Sequence, residues 1–173
     1  MSYTAASPFE HDGSSPPPVP LIAAAGWLVP GLGYALIGER KRAIFCGSAI
    51  LALFVLGILI AGVRCVDVPG YDANGALKRV GPRSSELLIS ASPFRSIMDR
   101  PWYIPQILAG PVTIGASIWS VSVSDDYPKS TARLWDIGTL YTAVAGMLNL
   151  LVMMDCAHRA AKIREANPRL GPM

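Results

Sequence analysis

The chain has 173 residues, of which 51% are hydrophobic and only 16% are charged, with a net charge of +3. A soluble domain carries about a quarter charged residues, so an ordinary polar-surfaced domain is excluded, and the length suits one modest unit. No long basic run is interleaved with aromatics, so nucleic acid is not an expected partner.

The distribution of charge points to a membrane. Four stretches, 13–38, 43–63, 101–124 and 137–154, contain no Asp, Glu, Lys or Arg. A helix needs about 20 mainly apolar residues to cross the hydrocarbon core. The expected fold is therefore all-α, a polytopic membrane protein with four transmembrane helices in a small bundle. The competing reading is a soluble helical bundle with an unusually apolar core.

Residues 1–19 read as a disordered Pro/Ser-rich tail, because Ser14, Ser15, Pro16, Pro17 and Pro18 block helix and favour extended chain. A docking segment for a partner is the sharper alternative. The tail has no Lys or Arg, so a signal peptide's basic start is missing and the first apolar stretch is expected to stay in the mature protein.

Residues 20–63 read as a transmembrane helical hairpin. Its first helix contains Pro30, Gly31 and Gly33. Proline removes a backbone donor and clashes with the preceding turn, so a kink near Pro30 is expected. Glu39, Arg40, Lys41 and Arg42 make the tight connection to the second helix, which is apolar all round. Residues 64–100 read as an extramembrane or interfacial connection, with short headgroup-region helices and a disordered loop as alternatives.

Residues 101–157 read as a second transmembrane helix pair, and 158–173 as a basic C-terminal tail. Trp102, Tyr103 and Trp135 suit an interfacial aromatic belt. Gln106, Gly110, Thr113, Ser117, Ser120 and Ser124 recur at three- and four-residue spacing, on one side of the third helix. Gly138, Thr142, Ala145, Gly146 and Asn149 form a related stripe on the fourth. Small residues let backbones approach, and hydroxyls and amides bond across the contact, so the third and fourth helices are expected to pack together. The helix-packing candidates are Pro30, Gly31, Gly33, Gly38, Gly110, Thr113, Ser117, Ser120, Gly138, Thr142, Gly146 and Asn149.

No ionisable residue lies inside a stretch, which weakens proton-relay and ion-path readings. Asp155 and His158 are three apart at a helix end and could bind a metal or move a proton; a solvated pair is the plainer reading. Asp125 and Asp126 could collect a cation or form a polar turn. With no HExxH, P-loop or GxSxG motif, no catalytic residue, cofactor or metal site is expected, and the chain is not expected to be an enzyme. Four crossings would put Cys65 and Cys156 on one side, where a disulfide is conceivable.

Counting Lys and Arg in the connections gives ten on the side of the termini and five on the other, which places the termini in the cytoplasm. The first helix alone, with no basic residue before it and three after it, points the opposite way.

Pro30, Gly31, Leu32 and Gly33, then Tyr34, then Gly38 before a basic turn, resemble a two-helix membrane hairpin of pattern PGLG-x-(F/Y)-Y-x-G. The likeness covers about residues 27–47; Ala35 and Leu36 stand where such hairpins often carry aromatics. The string DIGTLYTAVAGMLNLL at 136–151, ending at Asp155, resembles a bacterial membrane family of unknown function, the family numbered 6677. The resemblance implies a small four-span bacterial protein, with a multi-pass place in the inner membrane, and carries no activity. The leading expectation is a non-catalytic structural, accessory or scaffold component in the lipid bilayer, packing as a homo-oligomer or in a larger membrane complex. The alternative is a small transporter or channel component with a polar path along helices 3 and 4.

Overall fold

A computed structural model describes residues 17–71, 97–98, 100–122 and 132–166. These residues form helices and no strand. Residues 1–16 of the Pro/Ser-rich tail, most of the 84–99 segment read as short helices or a disordered loop, and Asp125 with Asp126 lie outside the described residues.

α1 (Val19–Leu28) starts with Pro20 in its first turn, where a missing N–H costs nothing. It stops because Val29 precedes Pro30 and is held extended, at φ −135° and ψ 116°. Gly31 follows at φ 86°, a left-handed conformation that glycine adopts without a Cβ penalty. The chain reverses there into α2 (Leu32–Leu36). Gly38, at φ 88°, ends α2. Its N–H donates to Ala35 O and that of Glu39 donates to Tyr34 O, a Schellman closure.

α3 (Arg40–Ala61) runs unbroken for 22 residues, until Gly62 turns the chain at φ 78°. A 3₁₀ turn, Val63–Cys65, follows. α4 (Tyr103–Ile107) and α5 (Pro111–Ser122) are joined by a bend in which Gly110 sits at φ 94°. Pro111 opens α5 at the one helix position that suits it. α6 (Ala132–Ala166) is 35 residues long, about 52 Å.

α6 serves as a ruler for everything else. Near its start, Gly138 and Thr142 lie against Gly57 of α3, and Gly138 also meets Ala61 and Cys65. Farther on, Arg159 pairs with Glu39, just before α3, at 3.3 Å. α3 and α6 are therefore antiparallel. α1 runs along α6: Ile22 shares an apolar cluster with Cys156 and Ala160, and Gly26 meets Met153 and Asn149. α2 returns to the same end, where Tyr34 and Ile37 join Ile22, Cys156 and Ala160 in one apolar cluster.

The α4–α5 pair enters from the other end. Arg100 pairs with Asp67 at 3.0 Å, Gln106 meets Thr142, and Leu108 reaches Asn149. α5 then packs back on the Val63–Cys65 turn, with Ala116 in the cluster of Ala61, Cys65 and Val66. Each half of the chain thus repeats one order: short helix, break, short helix, long helix. The two copies point in opposite directions.

Among the described residues, two helices, α3 and α6, are long and apolar enough to cross a membrane. The first and third apolar stretches do not each form one continuous helix. Each is broken in two, and each begins and ends at the same end of the molecule. This also separates two cysteines expected on one side. Cys65 adjoins Gly138, whereas Cys156 lies 18 residues farther along α6, about 27 Å away by helical rise. Both are free thiols, and that distance excludes a disulfide between them.

Candidate functional site

Where the two helix pairs meet, broken backbone needs partners. The last carbonyls of a helix have no acceptor role within it, and in a water-poor interior each must be bonded. Asn149 supplies two of these bonds. Its Nδ2 donates to Gly26 O at 3.2 Å in α1 and to Leu108 O at 2.9 Å after α4. Trp27 Nε1 donates to Ile107 O at 3.0 Å. Asn149 is 0% exposed, and among the described residues its Oδ1 has no hydrogen-bond partner.

The same junction explains two glycines. A Cβ on Gly110 would fall on the carbonyl oxygen of Trp27, and one on Gly146 would fall on that of Pro105. Glycine is required because backbone occupies the side-chain space. The Pro30–Gly31 break makes a similar contact: a Cβ on Gly31 would strike Ala43 O, and one on Gly47 would strike Pro30 O.

One helical turn away, Gln106 forms a second polar node. Its Nε2 donates to Cys65 O at 3.0 Å and to Thr142 Oγ1 at 2.8 Å, while its Oε1 accepts from Asp67 N–H at 3.0 Å. Thr139 also donates to Cys65 O, at 3.0 Å. Thr113 donates to Gln106 O at 2.6 Å, and Ser117 to Thr113 O at 2.8 Å. These side chains close the 3₁₀ turn and the α4–α5 bend onto α6. Most of these bonds end on backbone groups.

The third feature lies at the opposite end. Tyr34 Oη donates to Asp155 Oδ2 at 2.6 Å, Arg159 Nε donates to the same oxygen at 2.6 Å, and Arg159 also reaches Glu39. Asp155 lies just past the apolar run 137–154. Arg159, then Tyr34, stabilise its charged form and hold its carboxyl below the usual carboxylate range. Beside this cluster runs an apolar groove of about 330 Å³ between α3 and α6. Its walls include Phe45, Ala49, Leu148 and Leu151, and Tyr34 and Asp155 stand at its polar end.

The packing candidates read from the sequence fall into these places. Pro30, Gly31 and Gly33 form the α1–α2 reversal, with Gly33 against Cys156 and Ile22 O. Gly38 closes α2. Gly110, Thr113, Thr142, Gly146 and Asn149 build the junction and the Gln106 node. Ser120 is buried on α5. Gly138 faces α3 instead of the third helix, so the fourth helix divides its small-residue stripe between two neighbours. The partner of its central part is α4, because α5 turns back toward the Val63–Cys65 turn.

Trp27, Tyr34, Asp67, Arg100 and Arg159 were not among the candidates. Trp27 stands beside the Pro30 break, which is the signal that could have found it; the ion pairs have no local signature. Of the candidate pair Asp155 and His158, Asp155 is bonded to Tyr34 and Arg159. Among the described residues, no group of three or more His, Cys, Asp and Glu could hold a metal ion.

No curated protein and no solved structure matches the chain. One family model does, that of a family of unknown function (DUF6677), over residues 21–168. Apart from the first two residues of α1, that span takes in the six helices named above and both polar nodes, and the chain belongs to this family.

Proposed function

We propose that the chain is an integral protein of the bacterial inner membrane, crossing it twice through α3 and α6. α1–α2 and α4–α5 enter from opposite faces, turn back inside and leave by the face they entered. The observation that carries this is the apolar outer surface: Phe45 and Leu59 of α3 are 76% and 74% exposed, and Leu151 of α6 is 61% exposed. Water-soluble proteins rarely expose apolar surface so continuously. At 22 residues α3 spans about 33 Å, enough for a hydrocarbon core of about 30 Å, whereas α1 spans about 15 Å. Non-helical backbone at membrane depth survives only when protein covers it, and Pro30, Gly31, Ala109 and Gly110 are all buried.

This arrangement also supports one orientation. Among the described residues, Arg40, Lys41, Arg42, Arg159, Lys162 and Arg164 lie at the end of the termini, against Arg64, Arg100 and Arg133 at the other. The positive end faces the cytoplasm. The conflict over the first helix disappears, because α1 and α2 enter and leave on one face.

The activity that fits best is non-catalytic: an accessory or scaffold component, acting within a larger membrane complex or as a homo-oligomer. Support comes from how the polar residues are used, since Gln106, Thr142 and Asn149 bind backbone. Native mass spectrometry in mild detergent, at native expression, tests it. Co-purification with further subunits or copies is expected, and a strictly solitary chain would count against it.

A second reading, transport, draws on one specific observation. Two oppositely directed copies with broken helices meeting inside are an arrangement that transporters use around a binding site. Cysteine labelling at Thr113 and Ser117 separates the two. The scaffold reading expects full protection at both positions, and transport expects a water-accessible path.

A further inference from the structure

We propose that the groove between α3 and α6 holds one acyl chain of an anionic phospholipid, with its phosphate at Arg40, Lys41 and Arg42; this rests on the membrane reading above. The first observation is the shape. The groove is apolar along its length and ends at Tyr34 and Asp155, at the boundary between the apolar run of α6 and its charged end. Leu148 to Asp155 covers about 10 Å of helix, a large part of one leaflet's half of the hydrocarbon core. An apolar trough with one polar end, at that depth, fits an amphiphile.

The charge selects the headgroup. Arg40, Lys41 and Arg42 occupy the first turn of α3, where cations oppose the helix dipole. Local helix stability therefore does not explain them; they suit the anionic headgroup region of the cytoplasmic leaflet, where a lipid phosphate would lie. Phe45 and Cys46 of the groove follow one turn later. Glu39 accepts from Arg42 at 3.1 Å and from Arg159 at 3.3 Å, and Asp155 is engaged by Arg159. Two acids and four bases leave an excess of two positive charges at the mouth. Arg42 remains 54% exposed at its side chain, available to a phosphate on the membrane side.

The test uses the full chain in nanodiscs of phosphatidylcholine with a minor share of phosphatidylglycerol, whose anionic headgroup basic residues attract. Bound lipid is counted by native mass spectrometry after release into detergent. Wild type should retain one phosphatidylglycerol. Ala49→Trp, which fills the groove from an exposed position, should lower retention at least fivefold, and Arg40→Gln with Arg42→Gln should abolish the preference over phosphatidylcholine. Leu59→Trp, outside the groove, should change nothing. Equal retention in Ala49→Trp, no preference in wild type, or loss of a dimer instead of a lipid would each overturn the proposal. Carbonate extraction separates the failures: a chain released from membranes sinks the membrane reading and this one with it, whereas a chain that stays embedded without a selective lipid sinks this one alone.

Discussion

Gly110 and Gly115 lie five residues apart in the sequence, and the same substitution should move stability in opposite directions. Gly110 adopts φ 94°, which costs a residue with a Cβ about 1–2 kcal/mol. The added methyl also lands on Trp27 O, so the two helix pairs must separate. That weakens the bonds from Trp27 to Ile107 and from Asn149 to Leu108, each worth about 0.6 kcal/mol inside a membrane protein. Gly110→Ala should therefore destabilise by about 2–3 kcal/mol. At Gly115, inside α5, a Cβ meets nothing within 4 Å, and alanine is a better helix former by about 1 kcal/mol. Gly115→Ala should be neutral or stabilising. Unfolding in mixed micelles, followed by circular dichroism as the fraction of denaturing detergent rises, measures both. If Gly110→Ala falls within 0.5 kcal/mol of wild type, on the roughly ±0.5 kcal/mol scale of ordinary surface changes, the contact between the two tips is wrong.

Asn149→Leu removes both donors to Gly26 O and Leu108 O while keeping the size; it should destabilise by about 1–2 kcal/mol, the loss moderated because the unpartnered Oδ1 disappears too. The same unfolding assay checks it, with exposed Leu151→Ala as a near-neutral control. Asp155 has a depressed pKa, so its contribution is present above its ordinary value of 3.8 and is lost as pH falls through the lower folded value. Asp155→Asn should remove that acid-side loss from a plot of midpoint against pH, and an unchanged acid limb would show that the Tyr34–Asp155–Arg159 link carries no stability. Cys65 and Cys156 should resist oxidative cross-linking to one another in membranes, as read by mobility on non-reducing gels; an intramolecular disulfide would contradict the antiparallel placement of α3 and α6.

Much of the fold was legible because it follows from local chemistry. The apolar run of α3 and the break at Pro30 are visible in the residues themselves, and the small polar stripe ending at Asn149 marks a close contact. The direction of the chain after each break was not legible. About 20 apolar residues look alike whether they cross or double back, and the left-handed backbone at Gly31 and Gly110 decides between the two. Gly31 follows a proline, which signals a break but not its angle. Gly110 precedes Pro111, which equally suits the first turn of a continuing helix. The stripe on the third apolar stretch has true helical spacing, yet the helix is interrupted at residues 108–110, so Gln106 and Thr113 belong to different helices. The ion pairs Arg159–Glu39 and Arg100–Asp67 join residues far apart in sequence and leave no periodic trace. The site residues with a backbone role could be guessed by type; their partners could not.

The central claim is that the first and third apolar stretches reverse within the membrane instead of crossing it. Single cysteines at Pro18, Lys41, Met98 and Arg133, in a chain with Cys46, Cys65 and Cys156 replaced by alanine, test this through labelling of intact and opened cells with an impermeant thiol reagent. The expected result is that Pro18 and Lys41 label together from the cytoplasmic face and Met98 and Arg133 label together from the opposite one. Pro18 and Lys41 on different faces, or Met98 and Arg133 on different faces, would restore a continuous crossing and contradict the account.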